Sequence, residues 1–91
     1  MEKLQLKPNV TSRPTNLNLI MLFDKEKGVM YELNETASSI ISTLTSTPKN
    51  IEEIIEIISK DYNDDKNQIA EDIKEFIADF ITIGLLEKMS V

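Results

Sequence analysis

The sequence predicts an α+β domain, strands followed by three helices, whose hairpin ahead of the helices invites a winged helix-turn-helix reading. Three observations predict it. "VMYELNETASSII" (residues 29–41) switches at Asn34 from a strand's two-residue apolar period to a helix's, with no linker between. Two apolar runs, "LNLIMLF" and "VMYEL", flank the polar turn "DKEKG" as the arms of a hairpin do. Beyond Asn34, apolar residues recur at helical spacing in three successive segments. Strands followed by a run of helices are the pattern of an α+β chain. At 91 residues, one domain over residues 1–91 is expected.

Leu4, Leu6 and Val10 suggest a first short strand, interrupted at Pro8, and "TSRPTN" (11–16) reads as a loop or crossover because of Pro14 and its polar neighbours. "LNLIMLF" (17–23) is apolar at nearly every position, which suits a strand covered on both faces or one whose second face awaits a partner. Gly28 supplies the turn residue free to adopt positive φ, and Val29, Tyr31 and Leu33 of the returning arm alternate toward the core. Met30 and Glu32 then point to the opposite face.

Asn34 is a good N-cap, and Glu35 places negative charge in the first turn of a helix expected to reach about Thr45. Asn50 followed by Glu53 forms a capping-box pattern for a second helix, with Ile51, Ile54, Ile55 and Ile58 on one face. "DYNDD" ends it. Asp65 and Gln68 open a third helix running to Ile83, with Gly84 as the residue beyond its end. In that helix Ile69, Ile73, Phe76, Ile77, Phe80, Ile81 and Ile83 span roughly 160° at roughly 100° per residue. Such an arc suits a helix packed between two neighbours, or one that lines a groove with part of its face.

The absent residues exclude much chemistry. There is no His and no Cys, so a Ser–His or Cys–His nucleophile, an ordinary zinc site and a disulfide framework are all ruled out. Two glycines, Gly28 and Gly84, cannot build a phosphate-cradling loop. No cofactor is expected and no catalysis. No stretch approaches bilayer-spanning length, and "MEKLQLKPNV" lacks the apolar core of a signal peptide, so a cytoplasmic location is expected. Charge is uneven: five Lys/Arg stand against four Asp/Glu up to Leu33, and five against twelve from Asn34 onward. Acidic helices repel phosphate backbones and favour a basic or apolar peptide as partner over nucleic acid.

Three groups of residues bear on specific chemistry. Asp61, Asn63, Asp65 and Asp72 fall at positions 1, 3, 5 and 12 of an EF-hand loop, but Lys66 replaces the glycine that its turn requires and Ile69 replaces a polar ligand. No metal is expected. Read as a DNA-recognition helix, the third helix offers Lys66 and Lys74 against Glu71, Asp72, Glu75 and Asp79, which is the wrong sign. Ser38 and Ser39 lack the Asp-Ser-Leu context of a carrier-protein attachment serine and read as exposed helix-surface hydroxyls.

"YELNETASSII", "NIEEIIEIISKDY" and "AEDIKEFIADFITIGLLE", in that order, resemble the strand-to-helix junction, second helix and C-terminal helix of the PqqD-like family of RiPP recognition elements. These domains bind leader segments of ribosomally made precursor peptides. The chain departs from many relatives after the first helix, where "TSTPKN" replaces an Asp-Gly turn. The resemblance implies a three-stranded antiparallel sheet packed against three helices, and a peptide-binding adaptor that is not an enzyme. A precursor's leader would add as a strand to the arm Gly28, Val29, Met30, Tyr31, Glu32, Leu33, beside Asp72, Phe76, Asp79 and Ile83 of the third helix. The two acids would meet a basic leader residue, and Phe76 with Ile83 an apolar anchor. It further implies a separate maturation enzyme as partner, of radical SAM or lasso-peptide protease or cyclase type. A free sheet edge leaves both a monomer and an edge-paired homodimer open. The alternatives are a winged-helix DNA-binding regulator and an adaptor that joins proteins without any precursor.

Overall fold

The computed structural model describes residues 2–62 and 65–89. Asn63 of the EF-hand-like spacing lies outside them. Eight elements follow in order: β1 (Lys3–Leu6), β2 (Val10–Pro14), β3 (Ile20–Asp24), β4 (Val29–Glu32), α1 (Glu35–Ser42), α2 (Ile51–Asp61), α3 (Lys66–Thr82) and β5 (Leu86–Met89). β2, β3 and β4 form the expected three-stranded antiparallel sheet, in that order, and the helices follow it.

The N-terminal expectation needs correction. Leu4 and Leu6 belong to β1 and Val10 to β2, separated by a turn in which the Val10 N–H donates to the Lys7 carbonyl (2.9 Å). Most of "TSRPTN" is strand, because Pro14 sits at the end of an edge strand, where a missing N–H costs no ladder bond. The following strand begins only at Ile20. Residues 15–19 are a turn closed by Thr15 N–H to the Leu19 carbonyl (2.8 Å), with Asn18 at φ 61°. β1 pairs with β5 in a separate two-stranded sheet, and Leu4 also bridges Lys49 before α2. That C-terminal strand carried too short an apolar signal to be read.

The helices match their caps. Asn34 Oδ1 accepts from Ala37 N–H (2.8 Å), and Asn50 and Glu53 form the full reciprocal capping box. Asp65 accepts from Asn67 N–H (3.0 Å) to open α3. α1 stops at Ser42, short of the expected Thr45. α3 ends in a Schellman motif: Gly84 at φ 86° donates to Ile81, and Leu85 N–H reaches back to the Phe80 carbonyl (2.9 Å). This reversal delivers Leu85 and Leu86, both buried, into a core with Leu22, Ile40, Ile41, Ile54 and Ile73. None of the helices described is long and apolar enough to cross a membrane.

Ser38 overturns its expectation. It is buried, and its hydroxyl accepts from Ile20 N–H (2.8 Å) while donating to the Leu33 carbonyl (3.4 Å). The hydroxyl thus stands between β3 and the end of β4, relaying a bond that the ladder would otherwise make directly. Together with the Asn34 cap it fastens the strand-to-helix junction to the sheet.

Candidate functional site

β4 is bonded on one side only. Its Leu33 N–H donates to the Ile20 carbonyl (3.0 Å), and the register then places Tyr31 opposite Leu22 and Val29 opposite Asp24. In an antiparallel ladder alternate residues turn both backbone groups toward the partner. Leu33, Tyr31 and Val29 therefore spend theirs on β3, whereas Met30 and Glu32 direct N–H and C=O outward. Among the described residues no strand pairs with that side. The expected open rim of Gly28 to Leu33 is thus narrower in its backbone. Gly28, at φ 69°, donates its N–H to the Asp24 carbonyl (2.8 Å) inside the hairpin turn.

The side chains of β4 alternate as expected, with one difference. Leu33 is buried and Tyr31 half-buried against the core, but Val29 is 41 % exposed, because it lies at the hairpin end where the sheet runs past the helices. The turn beneath it is held by Asp24. Its Oδ1 accepts from Asn9 Nδ2 (2.9 Å), Glu26 N–H (3.0 Å) and Lys27 N–H (3.2 Å). The Asn9 hydrogen bond, against the cost of burial, and then the two backbone N–H groups and the Lys27 charge hold this carboxyl below the ordinary aspartate range.

α3 flanks the open edge. At one end Thr36, two residues past the Asn34 cap, shares a cleft of about 230 Å³ with Ile40, Ile58, Tyr62, Ile69, Asp72, Ile73 and Phe76. At the other end Lys27 Nζ donates to the Ile83 carbonyl (3.3 Å). The segments flanking β4 thus meet α3 at opposite ends, Lys27 near its C-terminus and Thr36 near Asp72 and Phe76, so that β4 and α3 run in opposite directions. Phe76 is half-buried and stacks on Phe80, ring centroids 4.0 Å apart. Asp72 accepts from Gln68 Nε2 (3.0 Å) at the cleft's rim.

Of the α3 residues expected beside a groove, Asp72 and Phe76 line this cleft; Asp79 and Ile83 do not. Both are exposed nearer the helix end. Within the wide apolar arc Ile69, Ile73 and Ile77 are buried and Phe76, Phe80 and Ile81 are half-buried against the core; Ile69, Ile73 and Phe76 also line the cleft. The contributions of Thr36, Ile40, Ile58 and Tyr62 were missed. Tyr62 had a signal, an aromatic directly after a helix's last acidic residue; its hydroxyl hydrogen-bonds Ser39 Oγ (3.2 Å) across to α1.

Fold and site together define a winged-helix-like α+β domain with a strand edge left open among the described residues and an apolar cleft between its three helices. The chain belongs to the PqqD family: the family model for coenzyme PQQ synthesis protein D matches residues 20–86. Solved structures with the same fold include TbiB1 in complex with the TbiA(beta) leader peptide, at 24% identity and TM-score 0.85, covering 96% of this chain and 99% of that one. A lasso peptide synthetase B1 complexed with its leader peptide matches at 19% identity and TM-score 0.79, covering 92% and 96%. The PqqD truncation of Methylobacterium extorquens PqqCD, described as a functional and stand-alone RiPP recognition element, matches at 21% identity and TM-score 0.73, covering 93% and 88%. Curated protein sequences give no significant match.

Proposed function

We propose that this chain, as a single unit over residues 1–91, is a non-catalytic adaptor for a ribosomally synthesised precursor peptide. It captures the leader by strand addition to β4 and presents the remainder to a separate maturation enzyme, of lasso-peptide protease or cyclase type or of radical SAM type. The observation that carries this reading is the edge of Met30 and Glu32 on β4, unpaired among the described residues. An extended peptide satisfies those backbone groups, while Asp72 and Phe76 receive side chains from its inner face. The leader-bound relatives and the stand-alone recognition element support it.

The physical gain is effective concentration: a held leader makes the enzyme's encounter with the adjoining segment nearly intramolecular. An edge fixed by Asn34 and Ser38 also loses little entropy on binding. The exposed face of α3, with Glu71, Asp72, Glu75 and Asp79, gives no support to the DNA-binding alternative. The test is titration of isotope-labelled chain with a synthetic leader from a precursor encoded beside its gene. Amide shifts at Met30, Glu32, Thr36, Asp72 and Phe76 are expected, and Asp72→Lys weakens binding of a basic leader without unfolding the chain. Shifts confined elsewhere, or none, overturn the reading.

A further inference from the structure

The outer face of the sheet is as open as its edge. Side chains there form two rows across the strands, Thr11–Phe23–Met30 and Arg13–Met21–Glu32. Leu22, between the rows on β3, points inward and is fully buried. Met30 is 60% exposed and Phe23 39%, and with Thr11, Arg13 and Met21 they line a shallow cleft of about 230 Å³. Each row stops at β4.

Glu32 ends its row without a cation. Among the described residues it has no ion-pair partner. Its neighbour across the ladder is Met21, and Arg13 lies two strands away, roughly 10 Å at ordinary strand spacing. Beside Glu32 opens a second cleft, of about 490 Å³, whose walls include Leu17, Leu19, Ile20, Met21 and Leu33. An apolar trough with a carboxylate at its side suits a long aliphatic stem that ends in a positive charge.

We infer that this outer face reads two residues of the bound strand: Glu32 selects a Lys or Arg, and Met30 with Phe23 selects an apolar residue two positions away. The inference rests on strand addition to β4. Because Met30 and Glu32 direct their backbone groups outward, a strand paired there sets its own residues directly opposite both. Their side chains stand on the same outer face, about 5 Å between Cβ atoms, close enough for a cross-strand pair. The spacing of two holds whether the strand adds parallel or antiparallel. The α3 cleft and the outer face then read alternate residues of one peptide.

The experiment selects a display library of random 12-residue peptides against the whole chain and against Glu32→Lys, with Glu32→Gln and Met30→Pro as further baits. Wild type is expected to enrich Lys or Arg two positions from an apolar residue, and Glu32→Lys to enrich Asp or Glu at the same place. An enriched basic peptide is expected to lose about fivefold in affinity on Glu32→Lys and to regain it when its own charge is reversed; Glu32→Gln falls between. Identical charge patterns from both baits, in peptides that Met30→Pro fails to bind, overturn the outer-face reading and leave strand addition standing. Peptides that bind Met30→Pro as well as wild type, or no enrichment at all, overturn both.

Discussion

The two edges of the three-stranded sheet differ in what they offer a passing chain. On β2 the outward residues are Val10, Ser12 and Pro14; the Val10 N–H is already taken by the Lys7 carbonyl, and Pro14 has none. Ser12 is left as the outward donor. On β4 both Met30 and Glu32 present N–H and C=O, and no proline interrupts them. Natural sheets blunt their edges with proline, charge or cover because a bare edge pairs indiscriminately. Here one edge is blunted and the other is left bare, fixed at one end by the Asn34 and Ser38 junction and at the other by the Asp24 turn. In the proposed function that held edge receives the leader; an unheld one would be an aggregation hazard.

The largest contrast lies within β4 itself. Tyr31→Pro removes a ladder donor facing β3 and leaves its acceptor unpaired, an expected cost of about 1–3 kcal/mol. Met30→Pro removes a donor that faces outward and leaves the ladder intact. Urea unfolding separates them: a midpoint for Met30→Pro close to that of Tyr31→Pro would mean that the assigned bonding directions are wrong. Next comes the junction. Ser38→Ala strands the part-buried Ile20 N–H and the buried Leu33 carbonyl, an expected loss of about 1–3 kcal/mol. Ser39→Ala, on a half-buried hydroxyl, should lose less in the same unfolding experiment.

Binding then compares the edges directly. Met30→Pro is expected to weaken a bound leader about tenfold, the equivalent of roughly one well-made hydrogen bond. Ser12→Pro, at the matching outward position on β2, should leave affinity unchanged by calorimetry. Equal losses at both edges would remove the distinction between them.

Much of this was legible in the chain because it is written in short-range chemistry. Asn34, Asn50 with Glu53, and Gly84 announce helix ends through bonds to neighbours within a few residues. The hairpin and the character of β4 followed from alternation. What escaped depends on distant pairing: β1 and β5 meet across nearly the whole chain, and each is too short for its period to show. β2 was hidden by Pro14, a residue that discourages a strand reading and here sits at the end of an edge strand. Asp72 and Phe76, at the border of the apolar arc, line the cleft among the helices, whereas Asp79 and Ile83, on the same border one or two turns further along, lie outside it. Angular position on a helix follows from the sequence; which turn of the helix meets a cleft depends on packing. Ser38 escaped for a similar reason, since only the fold brings Ile20 to its hydroxyl.

The smallest expected effect concerns the turn that holds the far end of the open edge. Asp24 carries a folded-state pKa below its unfolded value, set first by Asn9 and then by the Lys27 and Glu26 N–H groups against burial. The stability it contributes is therefore present above the unfolded pKa, about 3.9 for an aspartate, and is lost as pH falls through the lower folded value. Thermal midpoints of wild type should hold above about pH 5 and then decline. Asp24→Asn keeps one acceptor oxygen but cannot ionise, so its midpoint starts lower and its acid decline is shallower. Glu56, lowered by its exposed hydrogen bond and charge contact with Lys66, supplies the comparison: Glu56→Gln should flatten the decline less, because solvent screens that pair. Parallel acid profiles for wild type and Asp24→Asn would show that the turn is held by its backbone bonds alone, and that the carboxylate's charge contributes nothing to keeping the β4 edge in place.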